Sequence, residues 1–177
     1  MTFTMGRDWI KTIKTSLPDY AEELAKNIES VMTDHVLSEE EAHSCALTAA
    51  LASGNGELAF EISVSTPLFG NDIRDVVAKA VLYESTNARY TSYGSAAKSE
   101  RILVDTPGFY TDDFTNNGGS TADQFTLFCL VASIVNQSDA AIRGNLNLLM
   151  NYGVPQGKIQ SAARIASVIP TIGKCLL

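Results

Sequence analysis

The side chains able to do thiol, imidazole or metal chemistry are few. Three cysteines (Cys45, Cys129 and Cys175) and two histidines (His35 and His43) occur in 177 residues. The closest cysteines, Cys129 and Cys175, are 46 positions apart, which excludes a CxxC redox pair and a compact Cys/His zinc site. His43 and Cys45 are two apart on a helix and so do not share a face. With Glu39, Glu40 and Glu41 they make a poor ligand set, and an exposed acidic helix start accounts for the glutamates. Asp112 and Asp113 lack the glycine-punctuated spacing of a calcium loop and read as solvated. No metal and no cofactor is expected. Cys129 follows Thr126 by one helical turn, so the two share a face. That pair could expose a lone peroxide-sensitive thiol, but the setting Phe128-Cys129-Leu130 favours a buried apolar cysteine. Ser138 reads as a helix N-cap, and Asn145 reads with Asn147 and Asn151 as a solvated polar stripe.

The elements that would position these residues are helical almost throughout. Leu17, Ala21, Leu24, Ile28, Val31 and Met32 recur at helical spacing, with Ser16 as N-cap and Pro18 in the first turn. Ser38 and Glu41 form a capping-box pattern before Ala42, Cys45, Ala46, Ala49 and Ala50, and Gly54 is a natural stop. A short helix follows over residues 56–65, and another starts at Asn71 with Ile73, Val76, Val77, Ala80 and Val81. The segment Ser85–Ser99 reads as helix with a break near Gly94. Asp105-Thr106-Pro107-Gly108 and Asn116-Asn117-Gly118-Gly119 are turn signals on either side of an exposed stretch with Tyr110, Asp112, Asp113 and Phe114. Helix resumes at Ser120 or Thr121 and is strongly apolar from Phe125 to Val135. The next helix runs from Ser138, with Ile142, Leu146, Leu149 and Met150 on one face, to Gly153. The last runs from Pro155 to Pro170 with Ile159, Ala162, Ala163, Ala166 and Ile169. Ile102-Leu103-Val104 is the one strand candidate, and one strand makes no sheet. A single domain over residues 1–177 is expected. It divides into two distantly repeated halves, about 16–100 and 101–177, in which Cys45 slides onto Cys129.

The net charge of −7 argues against nucleic acid or an anionic membrane as partner. The charges are uneven: residues 1–100 carry eight basic and 15 acidic groups, residues 101–177 five of each. The charge-poor second half reads either as deeper burial or as a contact between subunits. The start of the chain lacks an apolar signal core, and the apolar run 125–135 is too short for a span of ~20 residues. With the odd cysteine count, a cytoplasmic protein with reduced thiols is expected.

Leu17-Pro18-Asp19-Tyr20-Ala21 with its amphipathic helix, the segment Leu37–Ala52, Thr106-Pro107-Gly108, Val131-Ala132-Ser133-Ile134 and Tyr152-Gly153-Val154 together resemble one family. In order and spacing they are similar to the alkylhydroperoxidase D-like proteins of the carboxymuconolactone decarboxylase-like superfamily, from about Ser16 to Leu176. The resemblance implies an all-α bundle of two related halves in a homo-oligomer, a trimer or hexamer. It also implies peroxide defence, with a peroxiredoxin or an active paralogue as partner. The chemistry it implies rests on a glutamate, a CxxC pair and a histidine four residues after the second cysteine. The thiol pair would cycle through a disulfide while the other two groups move protons.

Anchored without gaps on Gly153-Val154, the glutamate position falls on Thr126, the cysteines on Ser138 and Ala141, and the histidine on Asn145. No register shift of one or two residues restores them, because no cysteine lies between Cys129 and Cys175 and no histidine follows His43. The expectation is a degenerate oligomeric binding or scaffold protein. The alternatives are a peroxidase using Cys129 or a partner's thiols, and a non-redox decarboxylase-like enzyme, against which stands the lack of a nearby general base.

Overall fold

The computed structural model describes residues 8–65, 71–109 and 120–175. Among them are eight α-helices, one 3-10 turn and no strand. The helices are α1 (Asp8–Ser16), α2 (Glu22–Met32), α3 (Glu39–Ala52), α4 (Gly56–Ser65), α5 (Asn71–Ser99), α6 (Ala122–Val135), α7 (Asp139–Asn151) and α8 (Gln156–Gly173). The all-α expectation holds. The stretch Tyr110–Phe114 and the turn at Asn116–Gly119 lie outside the described residues.

Helices α3 and α6 form the centre. Nine consecutive residues of each, Ala42–Ala50 and Phe125–Ser133, are buried. A helix apolar or small on every side has no solvent face to offer and is buried all round. The two helices pack against each other, and each also packs against both α5 and α8. Small side chains on α3 (Ala42, Ala46, Ala49 and Ala50) permit this close approach, while α6 fills the space with Phe128 and Leu130.

The start of α3 follows its sequence signal. The Glu41 amide donates to Ser38 Oγ at 3.1 Å and the Ser38 amide donates to Glu41 Oε2 at 2.8 Å. Lys158 Nζ on α8 then donates to Glu41 Oε1 and Oε2 at 2.8 and 2.9 Å, joining the cap to the bundle. Gly54 ends α3 at φ +77°, and Gly153 follows α7 at φ +74°, a conformation that costs glycine nothing.

The caps of α3 and α6 also match each other bond for bond. Behind α3, the amides of Ser53, Gly54 and Asn55 donate to the carbonyls of Ala49, Leu51 and Ala50. Behind α6, Asn136, Gln137 and Ser138 donate to Ala132, Ile134 and Ser133. Every pair is offset by 83, as are the N-caps Ser38 and Thr121. At this offset Cys45 corresponds in helix position to Phe128, the residue before Cys129.

Four expectations about the elements change, at Ser16, Gly94, Pro170 and Met150. Ser16 does not cap α2. It is the last residue of α1, and its hydroxyl donates back to Thr12 O at 2.9 Å. Pro18 bars helix in the residue before it, so it separates α1 from a 3-10 turn over Asp19–Ala21, and α2 begins at Glu22. Helix α5 runs unbroken through Gly94 for 29 residues, about 43 Å at 1.5 Å per residue. Glycine within a helix lowers its stability without ending it. The Ile102–Val104 segment is not a strand. The chain reverses at Arg101 (φ +61°) and returns beside α5, with Tyr90 Oη donating to Asp105 O at 2.8 Å and Tyr90 edge-on to Phe109. Helix α8 continues past Pro170 to Gly173, because the proline removes one donor while Ile172 stays fully buried and Asn55 Nδ2 donates to Gly173 O. Met150, expected on the inner face of α7, is 63% exposed.

Candidate functional site

Three of the four family-site positions meet in one place. Thr126, Ala141 and Asn145 line a cavity of about 510 Å³ between α5, α6 and α7, and Cys129 lines it with them. Ser138 does not. It stands at the N-cap of α7, its carbonyl accepting from the Ile142 amide, with no cap bond from its hydroxyl. Thr126 and Cys129 share the cavity face of α6, as their spacing requires.

Asn145 is not part of a solvated stripe. It is buried, while Asn147 and Asn151 are exposed. Its Nδ2 donates to Glu84 Oε1 at 2.9 Å and lies 3.5 Å from Ser133 Oγ. Glu84, from the middle of α5, is only 3% exposed and also lines the cavity. The Cys129 side chain lines the cavity together with this carboxylate.

Glu84 is the residue that sequence reasoning missed, and it supplies the acid/base group thought to be lacking. A signal was present. Val76, Val77, Ala80 and Glu84 fall on one helical face, so an acid sits at the end of an apolar stripe. No lysine, arginine or histidine is among the described residues lining the cavity.

The electrostatics follow from that isolation. Burial pushes the Glu84 carboxyl up, and the Asn145 hydrogen bond, with a smaller influence of the nearby Cys129 side chain, offsets only part of the shift. Burial first, and then the Glu84 charge, push the Cys129 thiol far up. The attacking form in disulfide or peroxide chemistry is the thiolate, so this environment suppresses the reactive form of Cys129. Tyr83 on the same wall is likewise pushed up by burial and by Glu84.

The other singled-out residues lie elsewhere. His43 is buried on α3, and its Nδ1 accepts from Trp9 Nε1 at 3.0 Å, which places its own proton on Nε2. Cys45 is fully buried and its thiol is pushed up by burial and by Glu41. Cys175 is partly buried in a groove beside α1 and α4. Among the described residues no three Cys, His, Asp or Glu side chains come together as a metal site. A larger cavity, about 670 Å³, lies at the C-terminal ends of α3 and α6, but its lining holds no thiol, carboxylate or imidazole. No described helix is long and apolar enough to cross a membrane.

No family model matches the chain. Individual relatives do. The chain is 28% identical to the alkyl hydroperoxide reductase AhpD of Methylocella silvestris over 162 residues, 90% of either protein. It is 27% identical to that of Beijerinckia indica over 169 residues, covering 94% of this chain and 93% of the relative. Against that of Hyphomonas neptunium it is 25% identical over the same shares. By sequence along nine-tenths of its length the chain is similar to the alkyl hydroperoxide reductases AhpD, and its described residues are all-helical, as the resemblance implies.

Proposed function

We propose that this alkylhydroperoxidase D-like chain does not reduce peroxides through a dithiol, and instead serves as an oligomeric small-molecule binding protein. One observation carries the reading. The cavity built from Thr126, Ala141 and Asn145 holds a single cysteine, Cys129, beside a buried carboxylate, Glu84. A dithiol cycle needs a second sulfur within bonding reach of the first. Neither Cys45 nor Cys175 lines this cavity. At about 510 Å³ it is within the usual range for small-molecule sites.

The relatives' name, alkyl hydroperoxide reductase, keeps peroxide defence as the broader setting. There the chain would act as a homotrimer or hexamer in the cytoplasm, beside a peroxiredoxin or an active paralogue. A lone-thiol peroxidase is the weaker reading, because burial and Glu84 keep Cys129 protonated. A non-redox, decarboxylase-like reaction gains support from Glu84, a buried carboxyl at the cavity wall able to move a proton.

Peroxide consumption by the purified protein, with and without a dithiol reductant, tests the proposal. No turnover above the buffer rate is expected in either condition. Dithiol-dependent turnover would overturn it, and loss of that turnover in Cys129→Ser would assign the chemistry to the lone thiol.

A further inference from the structure

We infer that the Glu84 cavity is a site for a small organic cation, an amine carried on an apolar or aromatic group. The inference rests on the binding reading above and names its ligand class.

Charge selects the class. Glu84 is the one carboxylate among the described lining residues, and it is buried with a neutral donor, the Asn145 amide, and no cationic group beside it in that lining. An anionic ligand would meet this carboxylate without any lysine, arginine or histidine to hold it. A neutral ligand would leave the buried charge as poorly compensated as before. An ammonium group supplies the missing counter-charge and its own hydrogen-bond donors. The walls suit the rest of such a molecule. Tyr83 and Phe125 flank the site and Tyr152 stands half-exposed, and aromatic faces attract cations.

The first half of the chain offers an internal comparison. His43 is the fifth residue of α3, and Thr126 the fifth of α6. Against His43 the protein seats an aromatic N–H donor of its own, the Trp9 indole. Beside Thr126 it leaves an open cavity, with Glu84 as the acceptor. The second half thus presents to solvent a place for the kind of group that the first half fills from within.

The test is calorimetric or NMR titration of the full-length protein with benzylamine, benzyl alcohol and benzoate, three probes of similar shape and different charge. Benzylamine is expected to bind at least about tenfold more tightly than benzyl alcohol, and benzoate not to bind. Glu84→Gln is expected to reduce benzylamine to the affinity of the alcohol. Ala141→Leu, which narrows the cavity without touching the carboxylate, is expected to weaken both and carries the test should Glu84→Gln fail to fold. Equal affinity for amine and alcohol, no binding of benzylamine, or full affinity retained in both variants would overturn the inference. Dithiol-dependent peroxide turnover would instead overturn the binding reading and leave the titration result standing.

Discussion

The Glu84–Asn145 pair shows how one buried side chain changes the meaning of its neighbours. In the sequence Asn145 is one of several asparagines on α7, and Glu84 one acid among many. In the structure the amide is held by the carboxylate, and that contact bridges α5 and α7 across 61 positions. Burial raises the Glu84 carboxyl above its ordinary range. A group raised on folding favours the native state most below its unfolded value, and that advantage is lost as pH rises through the folded value. Glu84→Gln keeps the acceptor for Asn145 and removes the charge. It is therefore expected to be more stable than the natural protein at neutral pH, with the gap closing in acid; thermal unfolding across pH would show a constant gap if Glu84 were not shifted. Asn145→Ala removes a donor from a buried carboxylate and is expected to cost about 1–3 kcal/mol. The Cys129 thiol was legible as a buried core residue, but its place beside Glu84 in one cavity was not, since no local spacing joins residues 45 positions apart.

At the scale of elements, success and failure follow the range of the determining interactions. Ser38, Glu41 and Gly54 bound α3 through contacts within four residues, and both ends were legible. The same is true of α4 and of the glycine stop behind α7. Misreadings occur where tertiary packing outweighs a local signal. Pro170 reads as a stop, yet the turn beyond it is held by the buried Ile172 and by Asn55, a partner distant in sequence; Gly94 reads as a break, yet helix continues on both sides of it. Helix α1 carries too short a pattern to be read alone, and it is fixed by Trp9, Ile10 and Ile13 entering the core. The caps give a quantitative check. Gln137 occupies the left-handed position behind α6, φ +54°, that Gly54 occupies behind α3. Gln137→Gly should relieve about 1–2 kcal/mol of backbone strain, less the extra freedom glycine gains when unfolded. A net gain of about 0.5–1 kcal/mol in chemical denaturation is expected, and a loss would show that Gln137 makes compensating contacts.

For the whole molecule, the central pair α3 and α6 crosses with α5 and α8 so that each half completes the core of the other. The candidate site obeys the same rule. Glu84 comes from the first half, and Thr126, Cys129 and Asn145 come from the second. The family-site positions could be aligned from sequence because they lie close together, whereas their carboxylate partner belongs to the other half. Exposed apolar side chains gather around the returning segment, with Ile102, Leu103, Phe109 and Tyr93 at least partly in solvent. With the charge-poor second half, they would suit a contact between copies of the chain, the setting in which we propose a trimer or hexamer. Light scattering at micromolar concentration should give a multiple of 19.0 kDa, and a monomer would remove the subunit-contact reading of the charge asymmetry.

The Trp9–His43 contact has a spectroscopic consequence. Trp9 is the only tryptophan in the chain, it is wholly buried, and its indole N–H is engaged. Emission excited selectively in tryptophan, beyond the tyrosine absorption band, therefore comes from one site, the seat of α1 against α3. A red shift of that emission with helical circular dichroism unchanged would signal that α1 has lifted away while the rest of the bundle stands. The protein thus carries its own optical probe of the docking of its first helix.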